Sequence, residues 1–328
     1  MRSYQGTSGA GMFGRKSSGS LMPIKIPNEL PARAILESEG VPVIQESDAM
    51  RQDIRPLRVA LLNLMPEKIR TETQLARVLG STPLQIEMTL LRTGSYTGRN
   101  TPMEHLLAFY QTWEDVKEQK FDALIITGAP VEQMPFEDVV YWQELQQIFD
   151  WADNNVFSSF FICWGAQAAL YHYHGVPKYD LDGKMFGVFP HAVDQHASPL
   201  VAGFDDIFHC PVSRYTEVRR KDVEPIQGLE ILADSADSGL CLLEERAKRR
   251  VFIFNHLEYD GDTLKREYQR DHAAGLDTAL PRNYFQGDDP SQPPRVAWRA
   301  HRNLLYGNWI NDLYQHAPFD LQKIGKKR

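Results

Sequence analysis

Three residues in this 328-residue chain have the types and setting for covalent acyl chemistry: Cys163, His256 and Glu258. Cys163 lies within "FFICWGAQAAL" (160–170), where an apolar run gives way to small residues. The run 158–162 reads as a buried strand and 166–173 as a closely packing helix, so the thiol falls on the turn between them. At the N-terminus of a helix the backbone dipole favours a negative sulfur. A sharp strand-to-helix turn would also aim the Trp164 backbone N–H at an oxyanion, as in a nucleophile elbow. On position alone, Cys163 reads more readily as a small core hydrophobe. "VFIFNHLEYD" (251–260) adds to the first reading. It reads as a strand whose period of two sends His256 and Glu258 to one face. A carboxylate beside an imidazole can fix its tautomer and stabilise the imidazolium, as a Cys-His-Glu relay requires. Alone, such a pair is more often a surface ion pair.

Other candidates carry less. "IITGAPVE" (125–132) is a strand end with small residues; it could supply a second oxyanion N–H or be an ordinary turn. His172 and His174 are two apart on a helix, on different faces, so a shared metal is not expected. Trp298, Tyr306, Trp309 and Tyr314 read as core packing of an amphipathic C-terminal helix. The basic runs 248–250 and 325–328 read as solvated charge. No glycine-rich phosphate loop of standard spacing is present.

The elements that must position these residues follow an alternating rhythm. Strands are expected at 58–65, 85–93, 123–129 and 158–163, and helices at 68–79, 141–154 and after Cys163. Strands apolar throughout, alternating with helices, imply a mostly parallel sheet covered on both faces, an α/β fold. In such a sheet reacting groups collect at the carboxyl ends of strands. The second half reads as shorter strands, some antiparallel, then helices near 262–275 and 295–315, with an exposed loop at 276–295. Residues 1–21 are Gly- and Ser-rich and read as a disordered leader or appended extension, with Met22 a natural start. A single α/β domain is expected over 22–318, its first thirty residues an arm packed on the rest, and a basic tail over 319–328. Apolar content of 42% suffices for a large core, and a net charge of -7 argues against a general nucleic-acid binder. No apolar run has membrane-span length. Three scattered cysteines, without a C-x-x-C pair, point to free thiols in a reducing cytoplasm, not to zinc.

With these residues in hand, the chain resembles the homoserine O-acyltransferase family of methionine biosynthesis, whose fold is similar to class I glutamine amidotransferases. The likeness runs from Met22 to about Tyr314. It rests on "NLMPEKIRTETQ" (63–74), "TGAPVE" (127–132), "FEDVVYW" (136–142), "FICWGAQAALYH" (161–172), "KMFGVFPH" (184–191), "SRYTEV" (213–218) and "FNHLEYD" (254–260). The resemblance implies double-displacement transfer of an acyl group from coenzyme A to the γ-hydroxyl of L-homoserine. It makes Cys163 the acyl-thioester, His256 the base and Glu258 its partner, and it carries homoserine contacts over to Lys184, Ser213 and Arg270. Without it, Lys184 and Arg270 would read as solvated surface charges. A glutamate at position 132 goes with acetyl transfer in this family and a glycine with succinyl transfer. Acetyl-CoA is thus the expected co-substrate, with succinyl-CoA the alternative, no bound cofactor or metal, and a cytoplasmic homodimer. More distant alternatives are a glutamine amidotransferase, against which Phe161 replaces the first glycine of the usual G-x-C-x-G, and a redox sensor. A sensor needs no general base.

Overall fold

The computed structural model describes residues 24–27, 29–38, 43–44, 55–96 and 101–325. The expected leader at 1–21 lies outside them. Twelve strands among the described residues form one sheet. In chain order they are β1 (Ile24–Lys25), β2 (Val43–Ile44), β3 (Leu57–Leu62), β4 (Ile86–Arg92), β5 (Tyr110–Thr112), β6 (Phe121–Ile126), β7 (Val156–Ile162), β8 (Tyr179–Val193), β9 (Ile207–Glu217), β10 (Glu230–Ser235), β11 (Gly239–Glu245) and β12 (Arg250–Ile253). Their order across the sheet is β2-β1-β4-β3-β6-β7-β12-β11-β10-β8-β9, with β5 on β4. Every pairing from β2 through β12 is parallel, and those from β12 to β9 are antiparallel. The fold is the expected mostly parallel α/β sheet.

Why the central strands read as unbroken apolar runs is now plain. Val59, Leu61, Ile125, Phe160 and Ile162 face one side, with Leu75 and Leu79 of the Lys68–Leu79 helix and Tyr306 and Trp309 of the Arg299–His316 helix. Ala60, Leu62, Leu124, Ile126 and Phe161 face the other, against the Trp142–Asn155 and Trp164–His174 helices. Period-two alternation persists, but both faces are covered, so both are apolar. Trp298, Tyr306 and Trp309 are core residues as expected, whereas Tyr314 is exposed. The N-terminal arm packs as expected in its described part: β1 pairs with β4, and Leu36 of the Ala32–Ser38 helix joins the core.

Three expectations fail. The strand drawn through His256 and Glu258 stops at Ile253. Residues 276–295 are not simply an exposed loop, because Tyr284 and Phe285 are buried and Arg282 bridges to Gly187. Arg250, expected in solvent, is buried over the Tyr173 ring and paired with Glu245 and Asp153. In the last two cases a partner elsewhere in the chain absorbs residues whose local pattern reads as surface. No helix among the described residues is long and apolar enough to cross a membrane.

Candidate active site

Sheet register gathers the site. Ile162 of β7 stands opposite Ile253 of β12, and Phe161 opposite Ile126 of β6, all in parallel pairs. The three chains therefore leave the sheet at the same carboxyl edge. Cys163 is the first residue beyond β7, His256 the third beyond β12, and 127–132 the segment beyond β6. The Cys163 N–H donates to Ile253 O at 2.7 Å, which ties the first two ends together.

Cys163 adopts φ 53° and ψ -118°, a left-handed conformation unusual outside glycine. Strain of this kind persists only where surroundings over-determine it. Here the Trp164–His174 helix starts immediately, and two glycines permit the approach. A Cβ on Gly165 would lie 2.6 Å from Thr127 O and 2.9 Å from Ile126 O, so only glycine lets the helix sit on the end of β6. A Cβ on Gly128 would meet the Cys163 Cβ at 3.2 Å. The Trp164 side chain is fully buried against Phe136 and Tyr141, anchoring the first turn. As first residue of the helix, Trp164 has an N–H with no acceptor within it.

His256 and Glu258 come to one side through a turn instead of a strand. Glu258 Oε1 accepts from His256 Nδ1 at 2.6 Å, and Tyr259 stacks on the imidazole at 4.1 Å between centroids and 14° between planes. The turn is held by its backbone, His256 N–H donating to Pro211 O of β9. Before it, the Asn255 amide contacts His191 Nε2, which also contacts the Ser238 hydroxyl. Burial drives the His191 pKa down to about 3, so this inner histidine is neutral and structural. His256 differs. Burial opposes its charge, yet the Glu258 carboxylate and the nearby Cys163 sulfur raise its pKa well above the ordinary value. The void behind the relay is only about 20 Å³, lined by Thr127, Gly128 and residues of the Lys68–Leu79 helix. Cys163 is 7% exposed; Cys210 and Cys241 are wholly buried, the Cys210 thiol donates to Pro211 O, and burial pushes that thiol up.

Lys184, Ser213 and Arg270 converge on two carboxylates of the Thr263–Ala273 helix. Lys184 Nζ donates to Asp271 at 2.8 Å and Glu267 at 3.4 Å, Ser213 Oγ to Glu267 at 2.5 Å, and Arg270 to Asp271 at 2.7 Å. Lys184 is not a solvated charge: its side chain is 7% exposed, whereas that of Arg270 is 62% exposed. Tyr259, stacked on His256, lies near Glu267, where burial and that carboxylate's charge push the phenol pKa up, and so joins this cluster to the relay. Sequence reasoning missed Glu267 and Tyr259, although both lie in segments it had marked.

Glu132 sits in a turn. Its Oε2 accepts from Tyr215 N–H at 2.8 Å and the Thr216 hydroxyl at 3.4 Å, fixing the carboxylate beside β9. Burial raises its pKa, against those hydrogen bonds and the charges of Arg214 and His256. Arg214, also missed, is buried and bonded to the Ser238 carbonyl and Asn255. Nothing local in "SRYTEV" marks it as internal. Among the described residues no group of three His, Cys, Asp or Glu could hold a metal.

This geometry has relatives. A solved glutamine amidotransferase from Thermotoga maritima superposes with TM-score 0.52 at 12% identity, covering 79% of this chain and 99% of its own. A putative GMP synthase subunit from Thermoplasma acidophilum gives 0.51 at 12%, covering 82% and 99%. These share the fold. Much nearer in sequence are proteins named homoserine O-acetyltransferase from Hyphomonas neptunium (59% identical), Chelativorans sp. (56%) and Brucella canis (53%), each aligned over 93% of this chain and 98–100% of its own length. A family model described as homoserine O-succinyltransferase matches residues 23–319. The chain thus belongs to the homoserine O-succinyltransferase family, carried on a glutamine-amidotransferase-like fold.

Proposed function

We propose that this protein is a cytoplasmic enzyme that transfers an acetyl group from acetyl-CoA to the γ-hydroxyl of L-homoserine through a thioester on Cys163. The observation that carries the covalent step is Cys163 on a strained elbow at the same sheet edge as a His256 that Glu258 holds at 2.6 Å. The Cys163 sulfur attacks the acetyl carbonyl. The tetrahedral oxyanion is received by the Trp164 N–H, with a second donor available from the 127–132 turn. Collapse breaks the C–S bond to coenzyme A, whose sulfur takes the proton from imidazolium His256. The now neutral His256 removes the γ-hydroxyl proton as that oxygen attacks the thioester. O-acetylhomoserine leaves, and Cys163 sulfur and imidazolium His256 are regenerated. The raised pKa of His256 suits both halves, since the ring must be charged at rest and basic when it takes the hydroxyl proton. Glu258 orients and stabilises throughout.

Lys184, Ser213 and Arg270 are the proposed homoserine contacts. Arg270 is the most exposed of the three and offers a bidentate fork for the substrate carboxylate. The carboxylates of Glu267 and Asp271 keep these cations in place and offer acceptors for an ammonium group.

Glu132 supports acetyl over succinyl. Its carboxylate is pinned by Tyr215 and Thr216, so it cannot swing aside for a second carboxylate. Two such charges about 4 Å apart repel by about 1 kcal/mol in water and about 4 kcal/mol at a partly buried effective dielectric. That is roughly a fivefold to thousandfold penalty on succinyl-CoA. The test is kcat/KM for both donors in wild type and Glu132→Gly. Acetyl-CoA should be preferred by the wild type, and Glu132→Gly should shift the ratio toward succinyl-CoA. Because burial raises the Glu132 pKa, wild-type discrimination should also weaken as pH falls, earlier than for an ordinary carboxylate. Preference for succinyl-CoA in the wild type would reverse the donor assignment.

A further inference from the structure

The Lys68–Leu79 helix is used on two faces. Thr71, Gln74 and Leu75 line the small void behind His256, whereas Lys68, Arg70, Thr73 and Arg77 line a separate cavity of about 820 Å³. Asp260, Gly261 and Asp262 form another wall of that cavity. They begin two residues after Glu258, so the cavity adjoins the catalytic turn without containing any residue of the relay. Its volume is that of a small-molecule site.

Its lining carries an excess of positive charge. Arg266, Arg299 and Arg302 join Lys68, Arg70 and Arg77, against the carboxylates of Glu67, Asp260 and Asp262. Asp262 is shared by Arg70 and Arg266, and Asp260 pairs with Arg77. Lys68 Nζ is spent on the backbone carbonyls of Asn63 and Met65. Arg302 is the informative member. It is 8% exposed, its Nε makes a 3.4 Å contact with Asn303 Oδ1, and among the described residues its terminal nitrogens have no hydrogen-bond partner. The residue is buried while its terminal nitrogens stay open to the cavity, a geometry suited to a charge-assisted bond with an anionic oxygen. Arg299 and Arg302 also occupy the first turn of the Arg299–His316 helix, which holds no acidic residue and whose dipole disfavours cations. Burial and the like charges of Arg77 and Arg299 lower the Arg302 pKa, which agrees with a site short of negative charge.

We propose that this cavity binds the nucleotide phosphates of the acyl-coenzyme A donor. The inference rests on the acyl-CoA reading above and adds to it a place for the far end of the donor. Neither an acetyl group nor homoserine calls for so many guanidinium groups. A donor with a pyrophosphate and a 3′-phosphate at one end, and its thioester at the end of a long neutral arm, calls for a cationic cavity beside the nucleophile but apart from it.

The experiment compares kcat/KM for acetyl-CoA with that for S-acetylpantetheine, which lacks the nucleotide. It uses the full-length wild type, Arg302→Gln and Arg299→Ala. The ratio of acetyl-CoA to S-acetylpantetheine should fall about tenfold in Arg302→Gln, the loss of a charge-assisted hydrogen bond. It should fall less in exposed Arg299→Ala, with both losses lying in the KM for acetyl-CoA. Adenosine 3′,5′-bisphosphate should compete with acetyl-CoA in the wild type and bind more weakly to both variants by calorimetry. Inorganic phosphate at equal concentration should not. An unaltered ratio in both variants, or equal losses for both thioesters, would overturn the assignment, as would phosphate matching the bisphosphate. If the wild type turned over neither thioester, the acyl-transfer reading would fail on its own. Bisphosphate binding would still decide the cavity.

Discussion

Cys163 carries both the proposed covalent chemistry and a strained backbone. Its φ of 53° costs a side-chain-bearing residue roughly 1–3 kcal/mol, which glycine escapes. Cys163→Gly should therefore be inactive yet melt at or above the wild-type temperature. A clear loss of thermal stability in that variant would mean that the elbow is not strained. His256 offers a second test. Its folded pKa is raised, so its charge stabilises the native state fully below an unfolded value of about 6.5. That contribution disappears as pH climbs through the higher folded value. The stability gap between wild type and His256→Asn should accordingly be widest near pH 6 and shrink through the alkaline range in denaturant titrations. A gap that widens with pH would contradict the imidazolium assignment.

The elements that bring these atoms together were legible to different degrees. The Lys68–Leu79 helix and the apolar runs of β3, β6 and β7 follow from periodicity and composition, because two covered faces leave no polar alternation to confuse the reading. The end of β12 was not legible. "FNHLE" continues a period-two pattern, yet the chain breaks at Phe254, where Asn255 turns inward to His191 and the His256 backbone bonds Pro211. Those partners lie on β8 and β9, more than forty residues away in sequence, and no local signal names them. Lys184 was invisible as a buried group for the same reason, since Glu267 and Asp271 arrive from another helix. Gly165 makes a prediction at this scale. Its absent Cβ lets the nucleophile helix rest on the carbonyls of Ile126 and Thr127. Gly165→Ala must push the helix off that strand end and should cost about 1–3 kcal/mol, with a fall in activity larger than the loss of stability explains. A variant of wild-type stability and rate would show that the contact yields freely.

At the scale of the whole molecule, one edge of a parallel sheet brings together Cys163, His256 and the 127–132 turn, the proposed nucleophile, base and acyl selector. The antiparallel extension β8–β9 and the Thr263–Ala273 helix add Lys184, Ser213 and Arg270, the proposed amino-acid contacts. Two substrates can thus meet one sulfur in turn, and the central claim is that the first leaves its acyl group there. The most direct measurement is the mass of the intact protein, followed by peptide mapping, after mixing with acetyl-CoA in the absence of homoserine. One acetyl group should reside on Cys163 and should vanish on adding L-homoserine, with O-acetylhomoserine appearing in equal amount. An unmodified Cys163 while turnover proceeds, or an acetyl group on it that homoserine does not discharge, would contradict the thioester mechanism.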